Sequence, residues 1–154
     1  MKTDTFAVIG GDFRSTVVMN QLADKGYHVK YFGFDETLAM NPNAIHEKNI
    51  SGALSGAKYV ILPLPYASQD STTINAPLYR KEILISDVIE NLPPHCFILG
   101  GMLDEVICST LKSKEITYAD YFHREEFTIK NAIPTAEGAI EIALRETPHT
   151  LHRS

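Results

Sequence analysis

Four short apolar runs in this chain each end at a residue that breaks regular structure, and this punctuation constrains the fold more than any other feature. Phe6-Ala7-Val8-Ile9 closes on Gly10-Gly11, Val29 with Tyr31-Phe32 on Gly33, Tyr59-Val60-Ile61-Leu62 on Pro63, and Cys96-Phe97-Ile98-Leu99 on Gly100-Gly101. Runs this short, apolar at successive positions rather than alternate ones, are those of strands covered on both faces, as in a parallel sheet. A fifth, less apolar strand is expected over 116–119.

The intervals carry helical periods. Over 13–25 the apolar residues Val17, Val18, Leu22 and Ala23 recur at helical spacing, and Gly26 stands where a left-handed terminator belongs. Further helices are expected over 83–91 and 103–112. A last one opens at Pro134-Thr135, carries Glu137 in its first turn and an Ile140, Ala143, Leu144 stripe, and stops at Pro148. The polar segment 67–78 has neither period and reads as a loop. Strand and helix alternating over about 120 residues predict a doubly wound α/β fold. The expected form is an open, parallel five-stranded sheet of flavodoxin-like order 2-1-3-4-5 in three αβα layers. Ligands of such sheets bind beyond the carboxyl ends of the strands, where every unusual motif of this chain falls.

Composition narrows the function. The chain has 154 residues, 44% hydrophobic and 21% charged, enough for one core and unlike a disordered chain. Lys+Arg number 14 against 19 Asp+Glu, a net charge of −5, which lacks the basic footprint of a nucleic-acid binder. Cys96 and Cys108 have no C-x-x-C spacing and read as reduced core thiols, and none of the histidines has a ligand spacing, so no metal is expected. Met1-Lys2-Thr3-Asp4 does not open like a cleaved leader, and the apolar runs are far shorter than the ~20 residues of a membrane span. A cytoplasmic chain without a membrane partner is expected.

Gly10-Gly11-Asp12-Phe13-Arg14 turns the first strand into the first helix. Glycines there let a ligand approach the backbone, the helix start attracts an anion, and Arg14 can fork onto a carboxylate. Alternatively the glycines serve a turn, Asp12 caps the helix and Arg14 pairs with a surface acid. A dinucleotide site is a rival, because Asp35 follows the second strand as a ribose-binding acid would. The G-x-G-x-x-G fingerprint is nevertheless broken: from Gly10 it meets Asp12 and Ser15, and from Gly11 it meets Phe13 and Thr16. The strand-three exit, Leu62-Pro63-Leu64-Pro65, has no phosphoacceptor Asp, and the first loop is not a flavin-phosphate loop. Tyr66, Ser68, Gly100-Gly101, His123 and Gly138 each admit a ligand role or a plain structural one.

Taken in order, Val8-Ile9-Gly10-Gly11-Asp12-x-Arg14, Gly33-Phe34-Asp35, Leu62-Pro63, Phe122-x-Arg124-Glu125 and Asn131-x-Ile133-Pro134-Thr135-x-Glu137-Gly138 closely resemble the N-terminal domain of the dipicolinate synthase A-type family. The resemblance implies an NAD(P)-dependent oxidoreductase of sporulating bacteria. It converts dihydrodipicolinate to pyridine-2,6-dicarboxylate in the mother-cell cytoplasm and works with a second, flavoprotein-like dipicolinate synthase component of B type. It further implies that 1–148 form a substrate-side domain, as in two-domain hydroxyacid dehydrogenases, and that 149–154 open a linker. The Rossmann domain beyond that linker would bind NADP or NAD, so this fragment alone would be inactive. A planar diacid needs two anion-binding points. On this reading Gly10, Gly11, Asp12 and Arg14 serve one carboxylate, Pro134 and Thr135 the second, Arg124 is a further cation, and Glu137 or water takes the ring proton. Two alternatives stay open: a nucleotide-binding half of another oxidoreductase, and a non-catalytic ligand-sensing or interaction module. A homo-oligomer is also left open.

Overall fold

The computed structural model describes residues 4–38 and 40–122. Strands Thr5–Ile9 (β1), His28–Phe32 (β2), Ala44–His46 (β3), Tyr59–Ile61 (β4), Phe97–Gly100 (β5) and Thr117–Asp120 (β6) form one sheet, and every pairing in it is parallel. Helices Phe13–Asp24 (α1), Ile50–Leu54 (α2), Ile85–Glu90 (α3) and Glu105–Ser113 (α4) connect them. The strand order is β3-β2-β1-β4-β5-β6.

Two elements correct the five-stranded expectation. The strands read from the apolar runs keep their expected order, but β3 adds a sixth at the β2 edge, giving the 3-2-1-4-5-6 arrangement of a Rossmann-like sheet. β3 has three residues, of which Ile45 and His46 are exposed, so no apolar run marks it. Helix α2 spans five residues with Gly52 at its centre. It is started by the Asn49 side chain, which accepts from Gly52 N at 2.7 Å, and it is too short for a period to show. The last predicted helix lies outside the described residues.

Alternate rows of the sheet face different layers. Val29, Phe6, Tyr59 and Phe97 lie in register across β2, β1, β4 and β5, and with the row of Tyr31, Val8, Ile61 and Leu99 they pack on Val18, Met19 and Leu22 of α1. The intervening row, Ala7, Val60 and Ile98, packs against Ala53 and Leu54 of α2, Val88 of α3, and Ile107 and Leu111 of α4. Helices therefore cover both faces, which is why the strands are apolar at consecutive positions. Lys30 belongs to the second row yet is buried. Its ammonium donates to the carbonyls of Gly52 at 2.8 Å and Ser55 at 2.5 Å, answering acceptors at the end of α2. Cys96 is buried and its thiol is pushed up to about 11 by desolvation, whereas Cys108 is only partly buried.

The chain reverses its direction of winding between β1 and β4, so the exits of these neighbouring strands flank a crevice. The loop after β4 folds back over the β1 and β2 exits. Within that loop Ala67 bridges Ile74 and Thr73 bridges Leu84, both antiparallel, and Ile74 N donates to Ile83 O at 2.8 Å. Ile74 and Ile83 are almost fully buried. A Cβ on Gly10 (φ +66°) would lie 2.8 Å from Ile74 Cγ2, and one on Gly33 (φ +94°) would lie 2.6 Å from Ile83 Cδ1 and 3.0 Å from Gly10 N. These glycines are required by the chain's own packing.

Gly56 also has positive φ (+73°), but no atom lies within 4 Å of its added Cβ. Gly33→Ala is therefore expected to destabilise the protein by about 1–3 kcal/mol more than Gly56→Ala, because only Gly33 adds overpacking to backbone strain. Urea unfolding of the two variants checks this.

Candidate functional site

Because all six strands run the same way, the motifs that follow them share one edge of the sheet. At its centre Asp12 is the N-cap of α1, its Oδ1 accepting from Arg14 N at 2.9 Å. The Arg14 side chain folds back on the same carboxylate: Nε donates to both oxygens at 3.2 Å, and Nη2 to Oδ2 at 3.0 Å. Nη2 also donates to Leu64 O at 2.8 Å, so Arg14 bridges the crevice from the β1 exit to the β4 exit. Among the described residues Nη1 has no protein partner. The side-on fork of the guanidinium is thus spent on Asp12, and an incoming carboxylate would meet Arg14 end-on at Nη1.

Partial burial pushes the Asp12 carboxyl up, but hydrogen bonds and the charge of Arg14 outweigh it and hold the group below its ordinary value. Beneath this pair Tyr121, at the end of β6, donates its buried hydroxyl to Leu62 O at 3.0 Å. Desolvation raises the Tyr121 phenol, with Asp120 and Asp12 adding to the rise and Arg14 opposing it. The phenol is therefore a neutral donor bracing the β4 exit.

The other ready-made anion positions on this edge are filled by the chain's own carboxylates. At the β5 exit Met102 has a φ of +59°, and the successive amides of Met102 and Leu103 donate to Asp120 at 3.1 and 2.7 Å. Asp104 caps α4 by accepting from Ile107 N at 2.9 Å and also takes the Tyr66 hydroxyl at 2.9 Å. Desolvation, followed by this bond, raises the Tyr66 phenol. Ser68 lies in a turn with Asp70 and Thr73, its hydroxyl 2.6 Å from the Thr73 hydroxyl.

The predicted residues Gly10, Gly11, Asp12 and Arg14 are thus together at the crevice. Arg124, Pro134, Thr135 and Glu137 lie outside the described residues. No sequence pattern points to Tyr121 or Leu64 O, since only the fold brings them beneath and beside Arg14. A groove at the β2 and β3 exits is likewise hidden in the sequence, where Asp35 is its one pointer. Among the described residues no cluster of three His, Cys, Asp or Glu side chains is placed to hold a metal, and no helix is long and apolar enough to cross a membrane.

The family model for the N-terminal domain of the A-type component of dipicolinate synthase matches residues 5–122, well over half of the chain. The chain belongs to that family. The A-type dipicolinate synthase component of Bacillus subtilis (strain 168) is 25% identical over 148 residues, covering 96% of this chain and 50% of the relative. The crystal structure of that dipicolinate synthase component from Bacillus subtilis superposes with a TM-score of 0.74 at 24% identity, covering 96% of this chain and 49% of that one. A D-isomer specific 2-hydroxyacid dehydrogenase from Xanthobacter autotrophicus Py2 shares the fold, with a TM-score of 0.53 at 17% identity over 73% of this chain and 36% of that one. The chain thus spans about half the length of the dipicolinate synthase components it matches.

Within this dipicolinate synthase A-type domain, the depressed Asp12 carboxyl fixes the sign of one pH effect. Its contribution to stability is present above the ordinary value of 3.8 and lost as pH falls through the lower folded value. Arg14→Ala removes the hydrogen bonds and charge of the guanidinium and leaves only backbone amides, that of residue 14 included, to oppose the burial of Asp12. Urea midpoints measured from about pH 6 to pH 2 should therefore fall less steeply with acid in the variant than in the parent. Tyr121→Phe should cost about 1–2 kcal/mol in the same assay at neutral pH, because Leu62 O loses a buried donor.

Proposed function

We infer that this chain is the substrate-side domain of a dipicolinate-forming dehydrogenase, contributing one wall of the cleft in which dihydrodipicolinate is oxidised to pyridine-2,6-dicarboxylate. The observation that carries this reading is Arg14, a cation tied at once to Asp12 and to Leu64 O across the winding reversal of a domain in the dipicolinate synthase A-type family. Two anchors fix the guanidinium, so little side-chain entropy remains to be lost when a carboxylate binds Nη1. On the same reading, Pro134 and Thr135 serve the second carboxylate, Arg124 adds positive charge, and Glu137 or water accepts the ring proton.

The described residues do not fit a nicotinamide dinucleotide. A pyrophosphate at the start of α1 would meet the Asp12 carboxylate, and Ile74 already packs on Gly10. The dehydrogenase-like sheet supports an oxidoreductase setting, and NAD or NADP would be held by residues other than these. On this reading the described residues supply binding and orientation: Arg14 offers Nη1 as a charge-assisted donor to a substrate carboxylate, while Asp12 and Leu64 O keep the guanidinium in place. Action in the mother cell of a sporulating bacterium, together with the B-type component, belongs to the same proposal.

The test is dipicolinate formation, followed by ultraviolet absorbance, with the full-length product of the gene that encodes this chain. Product is expected from dihydrodipicolinate with NADP or NAD, and Arg14→Ala should lower kcat/KM by about 10–100-fold, the worth of one charge-assisted hydrogen bond. Absence of product with either cofactor, even with the B-type component present, would overturn the assignment. An unchanged kcat/KM in Arg14→Ala would remove Arg14 from the site.

A further inference from the structure

A groove of about 470 Å³ at the β2 and β3 exits takes no part in the Asp12–Arg14 arrangement; its lining includes Asp35, His46, Lys48, Tyr79, Arg80 and Lys81. Two of its rings have fixed planes: Tyr79 meets Phe32 edge-on at 5.5 Å between centroids, and His46 stacks on Tyr31 at 4.9 Å and 6°. Its charges are mixed, with Lys48, Arg80 and Lys81 set against Asp35, Glu36 and Glu47. A dicarboxylate would add negative charge beside those acids. The lining offers one ligand aromatic rings, a carboxylate acceptor and cations.

Asp35 carries the argument. It follows the strand next to β1, where doubly wound sheets place the acid that binds a ribose. Its Oδ1 accepts from Thr37 N at 2.9 Å and Thr37 Oγ1 at 2.8 Å, and these bonds hold the carboxyl below its ordinary value. Its Oδ2 faces Arg80 Nε at 3.3 Å, from an arginine side chain that is 89% exposed. An ion pair this exposed is easily exchanged. Sugar hydroxyls can replace Arg80 at Oδ2, which releases the guanidinium for a phosphate.

We propose that this groove binds a ribose-bearing mononucleotide, with Asp35 accepting from the ribose hydroxyls, Tyr79 and His46 flanking the base, and Arg80 with Lys81 taking the phosphate. A mononucleotide needs no pyrophosphate seat, so the closed β1 exit does not bar it. The site is independent of the dehydrogenase reading, because none of residues 10–14 lines it.

The experiment is calorimetric titration of the 154-residue chain with adenosine 5′-monophosphate, its 2′-deoxy analogue, adenosine and dipicolinate. Saturable binding of the monophosphate is expected, with the deoxy analogue about tenfold weaker or more. Asp35→Asn should weaken the monophosphate to a similar extent and abolish the difference between the two nucleotides, the mark of a direct hydroxyl–carboxylate contact. Arg80→Ala should weaken the monophosphate more than adenosine, and Arg14→Ala should change neither. No saturation at millimolar monophosphate, equal affinity for the deoxy analogue, displacement by dipicolinate, or loss in Arg14→Ala but not in Asp35→Asn would each overturn the proposal. The comparison of the two nucleotides needs no variant, so it decides the matter even where Asp35→Asn fails to fold. Loss of dipicolinate formation in Arg14→Ala bears on the other site alone.

Discussion

The rest of this molecule depends on the contact between two glycines and two isoleucines. Gly10 and Gly33 leave the β1 and β2 exits without side chains, and Ile74 and Ile83 fill that space from the loop after β4. The close approach lets a polar connection lie directly on the sheet edge. It covers the place where a dinucleotide-binding sheet would seat its pyrophosphate and leaves two separate regions on either side of the covering loop. One is the Asp12–Arg14 bridge over the winding reversal, and the other is the groove beyond β2.

A second regularity follows from the chain's handling of anions. Helix starts and positive-φ turns attract negative charge. Here Asp12, Asp104 and Asp120 answer those donors from within the molecule. At the winding reversal, Arg14 keeps Nη1 as a donor that no group among the described residues takes. On the reading proposed above, an anion on this side would meet a positioned side chain rather than bare backbone amides. Tyr121 ties the end of β6 to the β4 exit beside that arrangement, its hydroxyl donating to Leu62 O.

Much of the fold was legible because burial on both faces writes itself into composition. Phe6 to Ile9, Tyr59 to Ile61 and Phe97 to Leu99 are apolar at successive positions, and their shortness and flanking breakers mark them as strands of a sheet covered on both sides. β3 and α2 left no such trace. β3 is an edge strand with two exposed residues, and α2 is held by the Asn49 cap and by Lys30 reaching its last carbonyls, a contact between residues 22 and 25 positions apart.

The candidate site was legible to the same limit. The sequence by itself determined that Gly10, Gly11, Asp12 and Arg14 sit at a strand-to-helix turn, since breaker, cap and helical period are local signals over a few residues. It also determined that a dinucleotide fingerprint is broken there. Only the tertiary structure decided what Arg14 does with its donors, because the choice among Asp12, Leu64 O and a free anion depends on distances across 50 residues of chain. It alone showed that Gly10 is packed by Ile74, and that Asp35 and Arg80 pair in the lining of a groove. Short-range patterns record backbone preference and burial, whereas the pairing of distant polar groups exists only once the sheet has brought them together.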